Sequence, residues 1–250
     1  MGLLEFSSKP YERSTIAQMQ ALIFDFDGTI LDTESTEFQA WQEVYQQHGA
    51  ELSLDYWLPF IGNNSIPFDP AGHLEKLLGT TLDKKGIEGW VKQRKQALNQ
   101  TLEPLPGVLD YLEAAQAMGL KLAVASSSRR AWVEGHLERL GLLGYFQVIR
   151  TKEDVALTKP DPALFLRAAE GLGVLPQETL VLEDSLNGVR AAKSAGAFTV
   201  AVPNAITRHL NLGQADLLLS SLSDLALWDL LRIARGKQPR STPRYLESAG

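Results

Sequence analysis

The first clear pattern in the chain is Ala21-Leu22-Ile23-Phe24, an apolar run ended by Asp25. A short run without alternation predicts a strand buried on both faces. Asp25-Phe26-Asp27-Gly28-Thr29 follows, where acid and glycine stop the strand. From Thr33 to about Leu102 the spacing is helical, rich in Gln and Glu, with no strong strand signal. Inside it, Asp69-Pro70 predicts a helix start, with Asp as N-cap and Pro at the first helical position. Pro104-Leu105-Pro106-Gly107 is a turn cluster and a boundary. Beyond it the periods alternate: helix 108–118 stopped by Gly119, strand 120–125, helix 129–140 closed by Gly141, and a short strand from Phe146 to Arg150. Helix 161–172 follows with Asp161 as N-cap and Pro162 at N1, then strand 179–182, helix 186–195 ended by Gly196, and strand 198–202. A strand at 216–219 and a helix at 224–234 complete the pattern, and the tail from Gly236 is polar with two prolines and reads as loose.

Strands alternating with helices predict an α/β fold: a Rossmann-like parallel sheet with helices on both faces. The helical stretch reads as an all-helical insert directly after the first strand. The division is an N-terminal extension at 1–19, a core at 20–32 and 104–235, the insert at 33–103, and a flexible tail at 236–250. In open parallel sheets, ligands bind beyond the carboxyl ends of the strands, so motifs there carry the most weight.

Composition narrows the chemistry. The chain has 250 residues, 44% hydrophobic and 22% charged, so it can bury a core. Lys+Arg of 24 against Asp+Glu of 30 gives a net charge of −6, which argues against a nucleic-acid partner. Cysteine is absent, which excludes disulfides, thiolate metal sites and a cysteine nucleophile. No apolar run is long enough to cross a bilayer, and Met1 to Gln20 has no signal-like apolar core. The expectation is a cytoplasmic monomer with no membrane partner.

Polar residues gather where strands end. Asp25 and Asp27 follow the first strand, Ser126-Ser127-Ser128 the second, and Glu183-Asp184 a later one, while Lys159-Pro160 precedes a helix. Like charges packed together repel, so a divalent cation is their natural partner. Hard carboxylate oxygens without His or Cys ligands point to Mg²⁺. A carboxylate in that setting can be a nucleophile, and a second one two residues on can act as acid and base. Ser and Lys suit phosphate oxygens. Taken alone, Asp27-Gly28 is an ordinary turn, Ser126 to Ser128 are ordinary helix caps, and Lys159 is an ordinary loop lysine. The four histidines show no metal spacing. Trp41, Trp57 and Trp90 in the insert suit its own core.

Asp25-Phe26-Asp27-Gly28-Thr29, Ser126, Lys159-Pro160 and Glu183-Asp184-Ser185-x-Asn-Gly, in this order and spacing, resemble the four motifs of the haloacid dehalogenase-like superfamily. The insert position resembles the helical-cap subgroup that includes the β-phosphoglucomutase-like phosphatases. The resemblance covers residues 20–235. It implies that Asp25 is the nucleophile that becomes a phospho-aspartate and that Asp27 is the general acid and base. It further implies Mg²⁺ held by Asp25, the Asp27 carbonyl, Glu183 and Asp184, with phosphate held by Ser126, Ser127 and Lys159. The insert becomes a cap that contacts substrate, with Glu34, Glu37, Arg94 and Lys95 as candidates.

The expected activity is Mg²⁺-dependent hydrolysis of a small phosphomonoester, a sugar or polyol phosphate first, with phosphoglycolate or a nucleotide monophosphate as alternatives. A β-phosphoglucomutase-like isomerase and a binder without turnover stay open as other readings. In the mutases a cap arginine three residues after a glycine grips a second phosphate. Here Gly62-Asn63-Asn64-Ser65 puts Ser65 in that place, and Glu37 stands where the mutase has a cap histidine.

Overall fold

The computed structural model describes residues 19–61 and 67–236, together with the backbone of Arg244–Leu246. The strands are β1 (Ala21–Phe24), β2 (Lys121–Ala125), β3 (Val148–Arg150), β4 (Thr179–Glu183), β5 (Phe198–Ala201), β6 (Leu217–Leu219) and β7 (Arg244–Leu246). They form one sheet in the order β3-β2-β1-β4-β5-β6-β7, every pairing parallel. The fold is the expected Rossmann-like α/β arrangement.

Successive residues of a strand point to opposite faces, and here both faces are dry. Leu22, Phe24, Leu122, Val124, Leu180 and Leu182 enter one apolar cluster. Helices α5 (Val108–Ala117), α6 (Arg130–Arg139) and α9 (Leu227–Gly236) cover that cluster. Ala21, Ile23, Ala123, Ala125 and Val181 enter a second cluster, under α7 (Ala163–Leu172) and α8 (Leu186–Ala195). This double burial is why the strands read as continuous apolar runs.

Between β1 and α5 lie α1 (Thr33–Gln47), α2 (Leu54–Trp57), α3 (Pro70–Leu78) and α4 (Lys84–Gln100). They have an apolar cluster of their own, in which Phe38, Trp41, Val44, Tyr45, Trp57, Leu74 and Val91 are buried and Trp90 packs at the side. Local chemistry sets the helix starts: Asp32 accepts from Ser35 N–H (3.1 Å), and Asp69 accepts from Gly72 N–H (2.8 Å) ahead of Pro70. The two connections to the sheet run side by side, with Leu105 N–H donating to Ile30 C=O (2.8 Å).

Several boundaries differ from the sequence reading. Helix α7 begins at Ala163, not Asp161; Pro162 takes the cap position, and the Asp161 carboxylate accepts from Ala163 N–H (2.9 Å). The last helix begins at Leu227, because Ser221 caps a separate turn at Leu222–Asp224 and Leu225 is extended. The tail was assigned no element, yet Arg244–Leu246 pairs with Leu217–Leu219 at the sheet edge. Gly62-Asn63-Asn64-Ser65 lies outside the described residues. Among the described residues, no helix is long and apolar enough to cross a membrane.

Candidate active site

Strand order reverses direction beside β1, so the crevice at the carboxyl ends of β1, β2 and β4 is the switch point where such sheets bind ligands. All four motifs meet there. Asp25 continues β1 and its N–H donates to Leu182 C=O (2.9 Å), which holds it beside β4. Asp25, Glu183 and Asp184 are buried and offer one ligand oxygen each within 4.8 Å of one another. The Lys159 ammonium enters this group. It pairs with Asp25 and with Glu183 Oε1 (2.7 Å), and lies 4.9 Å from the Phe165 ring centroid.

Glycines permit the close approach of these loops. Gly28 has φ +87°, and a Cβ there would sit 2.2 Å from Asp184 Oδ2. At Gly188, in the first turn of α8, a Cβ would fall 1.7 Å from Glu183 Oε1. The Glu183 carboxylate instead accepts from Ser185 N–H (2.9 Å) and Ser185 Oγ–H (3.0 Å). That is the physical content of the Asp-Ser-x-Asn-Gly spacing.

Asp27 is held from several sides. Its Oδ1 accepts from Thr33 Oγ–H (2.9 Å) and from the Trp132 indole N–H (2.9 Å). Its Oδ2 accepts from Ser128 Oγ–H (2.5 Å) and, more weakly, from Ser126 Oγ–H (3.5 Å). Ser126 Oγ in turn accepts from Ser128 N–H (3.0 Å), and Ser126 N–H donates to Arg150 C=O (2.9 Å). These contacts fix the loop after β2.

The electrostatics are unbalanced. Burial first, then the neighbouring carboxylates, pushes Asp25 and Asp184 well above the usual carboxylate range. Burial works against the charge on Lys159, but Asp25 and Glu183 outweigh it and hold the ammonium charged. One cation cannot compensate three buried carboxylates when all are ionised, so the group either holds protons or takes a further cation. A hard divalent cation fits that deficit and that all-oxygen donor set.

The cleft above these residues has a volume of about 580 Å³. Asp25, Asp27, Ser126, Ser127, Lys159, Glu183 and Asp184 all line it, as do Glu34, Glu37 and Lys95 from the helical insert. Lys95 forms an ion pair with Glu37. Glu34 is pushed up to about 7 by burial, then by Glu37 and Asp27. Arg94 does not line the cleft: it forks onto Glu43, with Nε 2.7 Å and Nη2 2.8 Å from its oxygens.

The sequence reading missed Trp132, Thr33 and Asn204. Trp132 and Thr33 reach Asp27 from α6 and α1 with no local motif to announce them. Asn204 follows β5, and its Nδ2–H donates to Asp184 Oδ2 (2.9 Å). Its place beyond the carboxyl end of a strand is the one signal that could have found it.

A family model described as haloacid dehalogenase-like hydrolase matches residues 22–202. YhcW of Bacillus subtilis (strain 168) is 43% identical over 213 residues, covering 85% of this chain and 96% of that protein. The phosphorylated carbohydrates phosphatase of Thermotoga maritima is 34% identical over 201 residues, covering 79% and 89%. Among solved structures, a haloacid dehalogenase family hydrolase from Deinococcus radiodurans R1, with bound phosphate and sodium, superposes with a TM-score of 0.71. It is 28% identical, and the match covers 87% of this chain and 98% of that one.

Proposed function

The chain belongs to the haloacid dehalogenase-like hydrolases, in the β-phosphoglucomutase-like group, and is a phosphoric monoester hydrolase; from that premise we propose that it is a Mg²⁺-dependent phosphatase of small sugar or polyol phosphates, working through a phospho-aspartate on Asp25. The observation that carries this reading is the buried group of Asp25, Glu183, Asp184 and Lys159 at the carboxyl ends of β1 and β4, with Asp27 at its edge.

Asp25, Glu183, Asp184 and the Asp27 carbonyl would hold Mg²⁺, which when bound offsets negative charge on the transferring phosphoryl group. In the first half-reaction an Asp25 oxygen attacks phosphorus and the bond from phosphorus to the leaving alcohol breaks. Asp27 gives that alcohol oxygen its proton. In the second, Asp27 takes a proton from water, the water oxygen attacks phosphorus, and the bond to Asp25 breaks. Inorganic phosphate leaves and both carboxyls return to their starting state. Ser126 and Ser127 suit the phosphoryl oxygens, since the loop after β2 opens a helix N-terminus. Lys159 counters the charge that grows on those oxygens.

The substrate class rests on the cleft and on a relative. The Thermotoga protein is named for phosphorylated carbohydrates. The cap side of the cleft presents the Glu34 carboxylate and the Glu37–Lys95 pair. Such groups hydrogen-bond neutral hydroxyls.

The test is phosphate release from a panel of sugar and polyol phosphates, phosphoglycolate and nucleotide monophosphates, with and without chelator. Asp25→Asn is expected to abolish release while leaving the fold intact. Wild-type turnover by purified Asp25→Asn protein, or full turnover in excess chelator, would overturn the mechanism. Conversion of β-glucose 1-phosphate to glucose 6-phosphate faster than phosphate release would replace the phosphatase with a mutase.

A further inference from the structure

Asn204 is buried at 7% exposure in the turn that follows β5, away from every residue of the four motifs in sequence. Its amide makes all the hydrogen bonds it can make. Nδ2 donates to Asp184 Oδ2 (2.9 Å) and to Gly28 C=O (3.4 Å). Oδ1 accepts from Ile206 N–H and Thr207 N–H, each at 2.9 Å. The orientation of the amide is therefore fixed by its partners: two backbone donors demand the oxygen on one side, and a carboxylate and a carbonyl demand the nitrogen on the other.

This one side chain joins three loops: the turn after β1 through Gly28, the end of β4 through Asp184, and its own turn. Its own turn is closed reciprocally, since Asn204 N–H donates to Thr207 Oγ (3.0 Å) while Thr207 N–H returns to Asn204. Thr207 is fully buried. Ile206, in the same turn, belongs to the apolar cluster of the cap together with Trp41, Val44 and Tyr45. The anchor of Asn204 is thus clamped between the sheet and the cap. By contrast the other neighbour of Asp184, Thr29 Oγ, lies at 3.4 Å and holds it weakly.

We propose that Asn204 is a positioning residue for Asp184: its amide fixes the plane of that carboxylate and so sets the affinity of the Asp25–Glu183–Asp184 group for a divalent cation. Groups that orient metal ligands act through the ligand's direction and basicity, and their loss weakens metal binding without removing a ligand. The inference rests on the reading of these carboxylates as a Mg²⁺ seat, and it adds a residue outside the motifs to that seat.

The experiment titrates Mg²⁺ into the full-length protein by calorimetry, without substrate, for the wild type, Asn204→Ala and Thr207→Val. Thr207→Val loosens the same turn but leaves both Nδ2 contacts in place. Asn204→Ala is expected to raise the Mg²⁺ dissociation constant about 10–100-fold, and Thr207→Val by less than about threefold. Thermal melts of the two variants without metal are expected to fall together, which separates loss of the turn from loss of the donor. An unchanged dissociation constant in Asn204→Ala would overturn the inference, and so would an equal rise in Thr207→Val. A wild type that takes up no Mg²⁺ would instead remove the metal seat itself, an outcome distinct from either.

Discussion

Glu34 offers a test of the cleft's electrostatics that needs no substrate. It stands in the first turn of α1, lines the cleft, and has no hydrogen-bond partner among the described residues. Burial, then Glu37 and Asp27, pushes its carboxyl up to about 7, against an ordinary value of 4.5, with Lys95 opposing. The sign follows from linkage. Between the two values the folded protein holds a proton that the unfolded chain has lost, so this group lowers stability as pH rises from about 4.5 to about 7. Below that window it costs nothing, and above it the full cost is present. A gap of two to three units corresponds to about 3 kcal/mol at 1.36 kcal/mol per unit. Because the side chain is only half-buried, solvent screening brings this to about 1–2 kcal/mol. Glu34→Gln keeps the shape and removes the charge. Urea unfolding in chelator is therefore expected to show the variant more stable than the wild type by about 1–2 kcal/mol at pH 8, with the gap closing towards pH 5. A gain of the same size at both pH values would mean a packing effect and would refute the reasoning. No gain at pH 8 would mean that Glu34 is paired or solvated in solution.

Two further substitutions probe the site from its other sides. Lys159→Met removes the cation between Asp25 and Glu183 and is expected to lower kcat about 10²–10³-fold; steady-state kinetics at saturating substrate would show it, and a wild-type kcat would take Lys159 out of the reaction. Gly28→Ala forces a side chain into positive φ, at about 1–2 kcal/mol, and drives its Cβ at Asp184 Oδ2. Its melting temperature should fall and its Mg²⁺ affinity with it, and a variant that kept both would show that the loop has room the structure does not give it.

Strands β1, β2 and β4 were legible because both their faces are buried, so each writes itself as an apolar run ended by a polar residue; β5 is broken by Thr199, and β7 lies in the stretch that reads as loose. That same property puts Asp25, Ser126 and Glu183 at the carboxyl ends of strands in the sequence pattern itself. The insert was less legible. Arg94 and Lys95 are neighbours on α4, about 100° apart around the helix axis, so their side chains leave it in different directions. Lys95 faces the cleft, and Arg94 turns to Glu43. The phase of a helix against a partner is set by packing, here of Phe38 and Trp41 on α1 and Val91 on α4. Trp132 and Asn204 were hidden for a different reason. Their bonds to Asp27 and Asp184 cross 105 and 20 positions of chain, and a donor that meets its acceptor only through tertiary structure leaves no spacing to read.

The pairing of Glu37 with Lys95 changes the argument about water and a second phosphate. Taken singly, the Glu37 carboxylate would repel a second phosphate and the Lys95 ammonium would attract one. Joined as an ion pair they nearly cancel. What the cap then presents to the cleft, among the described residues, is the unpaired carboxylate of Glu34, the Thr33 hydroxyl already given to Asp27, and the apolar Ile61. The stretch Gly62-Asn63-Asn64-Ser65-Ile66 contains no cation by composition. The cations of the cleft without an ion pair among the described residues, Arg129 and Lys152, belong to the core and stand exposed. A mutase must hold a bisphosphate by its far end while the intermediate turns round, and it needs a fixed positive fork on the cap for that purpose. A roof made of a cancelled ion pair and a free carboxylate gives such an end no purchase, whereas it can accept hydrogen bonds from sugar or polyol hydroxyls. This charge balance is the reason to expect that water, rather than a returning sugar hydroxyl, takes the phosphoryl group from Asp25.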